Sequence, residues 1–207
     1  MRRSALALLA IVGIGLTACS ASDSGKPTPQ VTDKTAPSAT SSKAAAGGAA
    51  PPINGPELDV RPYADNPCEL LTSDQLRQLG VSKPGTVRQR ASGPTCNWTP
   101  DNRSTGSYPA VAVLTEVSGG WNAIYERKSN FGFFESAGEI GGYPAVHLNL
   151  NSSSDRGDCT TVVGVSNDLV FEALITVNDL QSPDYKNPCA VSDKLAELVV
   201  QNLKAGN

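Results

Sequence analysis

Few residues in this 207-residue chain are of types that carry chemistry, and their spacing limits what they can do. His147 is the single histidine. That excludes a two-histidine zinc motif of the His-Glu-x-x-His kind and leaves a triad as the histidine-dependent reaction to weigh. No Gly-x-Ser-x-Gly elbow supplies a nucleophile, so His147 is read as a structural or exposed side chain and no catalytic residue is assigned. Asn149, Asn151, Asp155 and Asp158 gather oxygen ligands of the type calcium accepts. Their spacing fits no calcium loop, and a solvated turn is expected instead, with no metal and no cofactor. Arg156-Gly157-Asp158 matches an adhesion tripeptide that is too short to carry weight. Trp121, Tyr125, Phe131 and Phe133, with Phe134, form the densest aromatic stretch. Core packing is its ordinary use, and a ligand cleft between the middle helix and the sheet is the best site hypothesis it offers.

The cysteines say more. Five is an odd number for an exported chain, and one of them, Cys19, ends the run Leu16-Thr17-Ala18-Cys19. Before it stand Arg2-Arg3 and an apolar stretch from Ala5 to Leu16, the layout of an export signal. As a helix that stretch reaches roughly 18 Å against a hydrocarbon core of ~30 Å, so cleavage is expected rather than a permanent span. Small residues ahead of Cys are how lipoprotein signals look: residues 1–18 are expected to be removed and the Cys19 thiol to take a diacylglycerol. Two or more acyl chains then anchor the protein stably to a membrane. Cys68, Cys96, Cys159 and Cys189 remain, an even set that an oxidising compartment would join as two disulfides.

From Ser20 to Pro56 the chain is mostly Ser, Thr, Pro, Ala and Gly and buries too little to order itself, so residues 19–56 are expected to be a disordered, lipid-anchored linker. Residues 57–207 have the size of one domain. The whole chain carries a formal charge of −3, and the acidic excess falls after Glu57 with no basic cluster, which disfavours nucleic acid and anionic membrane faces as partners.

Several elements must position these side chains. Asn66-Pro67-Cys68 starts a helical turn, and Thr72 with Gln75 forms a capping box for a helix that ends at Gly80. Thr86–Ser92 and Thr95–Thr99 read as strands split at Gly93-Pro94, and Ala110–Val117 as a central strand. A helix is expected from about Gly120 to Lys128 with Trp121, Ile124 and Tyr125 facing inward. Phe133–Ile140 and Tyr143–Leu150 flank Gly141-Gly142 as a hairpin, and Cys159–Ser166 and Leu169–Val177 make another around Asn167-Asp168. Asn187-Pro188-Cys189 opens a last helix with Val191, Leu195, Leu198, Val199 and Leu203 on one stripe and Gly206 past its end. The expected fold is α+β, a mainly antiparallel sheet with about three helices packed on it and two disulfides. Asn-Pro-Cys occurs twice, which is read as a good way to start a helix rather than as a duplication. Each helix start carries one Cys and a nearby strand another, which favours Cys68–Cys96 and Cys159–Cys189; four cysteines leave three connectivities open.

Asn66-Pro67-Cys68-Glu69-Leu70-Leu71-Thr72, Cys96-Asn97-Trp98, Gly120-Trp121, Gly141-Gly142-Tyr143-Pro144-Ala145 and the Pro-Cys helix at the C-terminus, behind a lipobox and a Ser/Thr/Pro/Ala spacer, resemble the actinobacterial lipoproteins of domain-of-unknown-function family 3558 (DUF3558). The likeness covers the mature chain. It implies a secreted, lipid-anchored, disulfide-bearing domain on the extracytoplasmic face of the cell membrane, and no catalytic residues carry over from it. The expected function is non-catalytic binding of an envelope protein or a small amphipathic ligand. An envelope hydrolase with an unrecognised site and a purely structural surface antigen are the alternatives.

Overall fold

A computed structural model describes residues 49–151 and 156–206. The expected signal and Cys19, most of the expected linker, and Asp155 lie outside the described residues. Seven strands form one antiparallel sheet: β1 (Thr86–Arg90), β2 (Gly93–Asn97), β3 (Ser107–Val113), β4 (Phe133–Ile140), β5 (Tyr143–Asn149), β6 (Asp158–Gly164) and β7 (Val170–Val177). Their order is β1-β2-β3-β7-β6-β5-β4, two meanders joined where β3 pairs with β7. Among the described residues the α-helices are α1 (Ser73–Gln78), α2 (Gly120–Glu126) and α3 (Pro188–Gly206), and a 3-10 turn spans Pro67–Leu70.

Side chains alternate across the strands, so each face has its own core. On one face Val111, Val113, Ala145, Val163, Phe171, Ala173, Ile175 and Val177 cluster with Leu195, Ala196, Val199 and Leu203 of α3 and with Leu70, Leu71 and Leu76 around α1. The other face carries Ala112, Leu114, Val146, Leu148, Val162 and Val170, clustered with Trp121 and Ile124 of α2. A seven-residue α2 covers only part of that face. A 19-residue α3 covers far more of its own.

Several expected boundaries move. The first hairpin turns at Ala91-Ser92 and not at Gly93-Pro94, which lie inside β2 with Pro94 opposite Gln89. Proline is tolerated there because β1 is an exposed edge strand whose loss of one ladder bond costs little. The central strand ends at Val113 rather than Val117, since Leu114 to Val117 turn into α2. Gly206 is the last residue of α3 and not a residue beyond it. The capping box is present as expected: the Gln75 amide N–H donates to Thr72 Oγ1 and the Thr72 amide N–H to Gln75 Oε1.

The expected linker boundary at Pro56 also moves. Ala50 and Ile53 pack against the core, Trp121 Nε1 donates to the Pro51 carbonyl at 2.9 Å, and Tyr143 Oη donates to the Pro56 carbonyl. Composition signals disorder there because one isoleucine among Pro and Gly cannot order a segment by itself. Two aromatic donors otherwise lacking acceptors do the rest.

Candidate functional site

Both disulfides join a turn or helix start to a sheet strand. Cys68, in the 3-10 turn, is bonded to Cys96 on β2, and Cys159 on β6 is bonded to Cys189 at the start of α3. These are the two pairings the sequence favours. Trp98 is buried in the same cluster as Cys96.

Beside the second disulfide lies a polar network. His147 is 9% exposed and its Nε2 meets Asp193 Oδ1 of α3 at 2.7 Å, while Nδ1 faces Glu135 Oε1 of β4 at 3.6 Å. Thr161 Oγ1 donates to Asp193 Oδ1 at 2.8 Å and contacts Ser192 Oγ at 2.6 Å. With the Thr161 proton committed to the carboxylate, the single Ser192 proton lies between Thr161 Oγ1 and the Cys189 carbonyl, to which Ser192 Oγ donates at 3.1 Å. His147 is therefore no exposed strand residue. It ties β5 to α3 between two carboxylates, and the sequence hid this because Asp193 lies 46 positions away.

The arrangement differs from a nucleophilic triad in a specific way. The two hydroxyls are those of Thr161 and Ser192, which are fully buried, and Thr161 donates to the aspartate and Ser192 to the Cys189 carbonyl instead of to the imidazole. A base must hold the nucleophile's proton. Burial alone would lower the His147 pKa, but the hydrogen bond and charge of Asp193, followed by those of Glu135, outweigh it and hold the imidazolium above its ordinary value. His147, Cys159 and Cys189 also bring potential metal-ligand atoms within 4.8 Å of one another. Both sulfurs are spent in the disulfide bond, which leaves the histidine as the single ligand.

The Asn149/Asp158 group forms a turn-like contact, with Asn149 Nδ2 donating to the Asp158 backbone carbonyl at 2.8 Å. Arg156-Gly157-Asp158 runs into β6, with the Gly157 amide bonded to the Tyr185 carbonyl.

The part of the second face that α2 leaves open is a cleft of about 660 Å³. Ile124, Phe131 and Val117 line one wall and Leu114, Leu148, Val162 and Leu174 the floor, with Leu150 at the lip 80% exposed. Of the four aromatic candidates Phe131 lines this cleft. Trp121 lies buried beneath α2, and Tyr125 packs edge-on between Trp121 and Phe134. Phe133, at the start of β4, is half-buried outside the lining. The residue that sequence reading missed is Glu172, on the cleft floor. An acidic residue at an alternate position of a Val/Ile-rich strand reads as the solvent side of a one-faced sheet, and the alternation of β7 gave no sign that α2 and the strands around it would enclose that side.

A seven-stranded antiparallel α+β domain, stapled at both helix starts and open over one stretch of its second face, is the class of protein these features define. The chain belongs to the family described as "Protein of unknown function (DUF3558)", whose family model matches residues 14–202. No curated protein and no solved structure matches it. None of its described helices is long and apolar enough to cross a membrane.

Proposed function

We propose that this protein is an extracytoplasmic lipoprotein, anchored through Cys19 in an actinobacterial envelope, that binds a small amphipathic molecule in the cleft between α2 and the sheet. The cleft carries the reading: about 660 Å³ is a volume suited to a small ligand, and its lining is mainly aliphatic with Phe131 on one side. The address is supported by cysteine bookkeeping, since four of the five cysteines are consumed in the two disulfides and Cys19 is the remaining one. The triad-like residues favour binding over hydrolysis, because the Thr161 proton goes to Asp193 and the Ser192 proton to the Cys189 carbonyl.

The test is binding of N-phenyl-1-naphthylamine, an uncharged apolar fluorophore, to the mature protein. A saturable rise in emission with one site per chain is expected, and Leu174→Trp, which fills the cleft floor, is expected to weaken it by about tenfold, roughly the loss of 1.4 kcal/mol. Equal binding by the variant would remove the cleft from the account. Mass spectrometry of protein from its native membrane, showing diacylglycerol on Cys19, tests the anchor separately.

A further inference from the structure

Glu172 stands opposite Ala112 of β3 and Val162 of β6, which puts its carboxyl at the centre of the sheet's second face, on the cleft floor. Leu114, Ile124, Leu148 and Leu174 line the cleft with it. No described residue forms a hydrogen bond or ion pair with it, and its oxygens open into the cleft rather than being sealed without a partner. Half-buried on an otherwise apolar floor, this carboxyl is left free to meet whatever enters the cleft. The other charged groups lining the cleft are Arg90 at the end of β1, Arg127 after α2 and Asp158 at the start of β6, all exposed at the rim.

Resting on the cleft as the ligand site, we propose that Glu172 is its polar anchor and that the ligand is an amphiphile with a cationic, amine-type head and an apolar body. The charge balance decides the sign of the head group. Arg90 and Arg127 are exposed at the rim, where water screens their fields, while Glu172 is half-buried on an apolar floor where its charge is screened less. An anionic head reaching the floor would meet a like charge. A cationic head supplies the missing partner, and its hydrocarbon follows Leu114, Ile124 and Phe131.

Titration adds a signature. Burial pushes the Glu172 carboxyl up to about 7, with Arg90 pulling weakly the other way. An alkylamine, like a lysine side chain, stays protonated up to pH ~10, so the pH dependence of its binding comes from Glu172. Cation binding needs the ionised carboxylate. Affinity is therefore full above the carboxyl's pKa and falls by up to about tenfold per pH unit below it.

The experiment displaces the uncharged fluorophore from the mature protein with dodecylamine, dodecanol or dodecanoate, each below its micelle concentration. Dodecylamine is expected to bind about tenfold more tightly than dodecanol near pH ~8, to lose that advantage toward pH ~5, and to lose it in Glu172→Gln, which still takes dodecanol. Dodecanoate binding as tightly as the amine, or an amine advantage that survives in Glu172→Gln, would overturn the anchor while leaving the cleft in place. If none of the three displaces the fluorophore, the cleft reading falls and this inference falls with it.

Discussion

His147 shows how much one side chain can hold when both ring nitrogens are engaged. Truncation to Ala would remove one of the two partners of the half-buried Asp193 and leave it Thr161, at a cost of about 2 kcal/mol for a charge-assisted hydrogen bond lost in the β5–α3 contact. In a domain of this size that is a fall in Tm of roughly 4–8 °C, measurable by thermal unfolding. The pH dependence has a definite sign. The folded-state pKa of His147 is raised, so its contribution is fully present below the unfolded value of about 6.5 and is lost as pH rises through the folded pKa. Unfolding curves for the native protein minus those of His147→Gln should show that loss on the alkaline side of pH ~6.5; a difference that instead grows with pH would contradict the pairing. The cysteines are the other strong single residues. They close loops of 28 and 30 residues in sequence separation, each worth about 3.6 kcal/mol in the chain-entropy model. Replacing Cys159 and Cys189 together by Ala should lower Tm by roughly 7–14 °C.

Among the elements, α2 is the most constrained for its length. Gly120 has φ +51°, and a Cβ there would lie 2.3 Å from the Asn167 carbonyl oxygen of the β6–β7 turn. The neighbouring Trp121 amide donates to that same carbonyl. Gly120→Ala should therefore lift α2 off the turn, cost about 2 kcal/mol or more, and alter the near-ultraviolet circular dichroism of Trp121. The hairpins, the capping box and the stripe of α3 could all be read from local chemistry: the Gly141-Gly142 turn, the Thr72–Gln75 spacing and the 3.6-residue period of Leu195, Val199 and Leu203. Less legible were features that depend on distant partners. Residues 50–56 look like spacer until Trp121 and Tyr143 arrive with their donors. Ser73-Asp74 and Ser192-Asp193 look alike in sequence, yet the first pair is exposed beside Arg77 while Ser192 is sealed against Thr161 and Asp193 bonds His147. A chain beginning at Glu57 should consequently unfold at lower temperature than one beginning at Ala49. Equal midpoints would show that the docked segment adds no stability.

The whole molecule divides its labour between the two faces of one sheet. The face under α3 and α1 holds both disulfides and the His147 network. The other face has a short helix at one end and an open apolar floor with a carboxyl group at its centre. Composition makes the chain acidic, which speaks to solubility; the aromatic stretch marks one wall of the cleft at Phe131, while the extent of the cleft arises from how little α2 covers. Four cysteines were enough to foresee a doubly stapled domain; no comparable signal marks the floor of the cleft.

The most direct measurement is an amide chemical-shift map of the isotope-labelled mature protein titrated with the uncharged fluorophore. The account predicts saturable shifts concentrated at Ile124, Phe131, Leu148, Val162, Glu172 and Leu174, with the surroundings of His147 and both disulfides unmoved. Shifts centred on the α3 face, or none at saturating ligand, would contradict it.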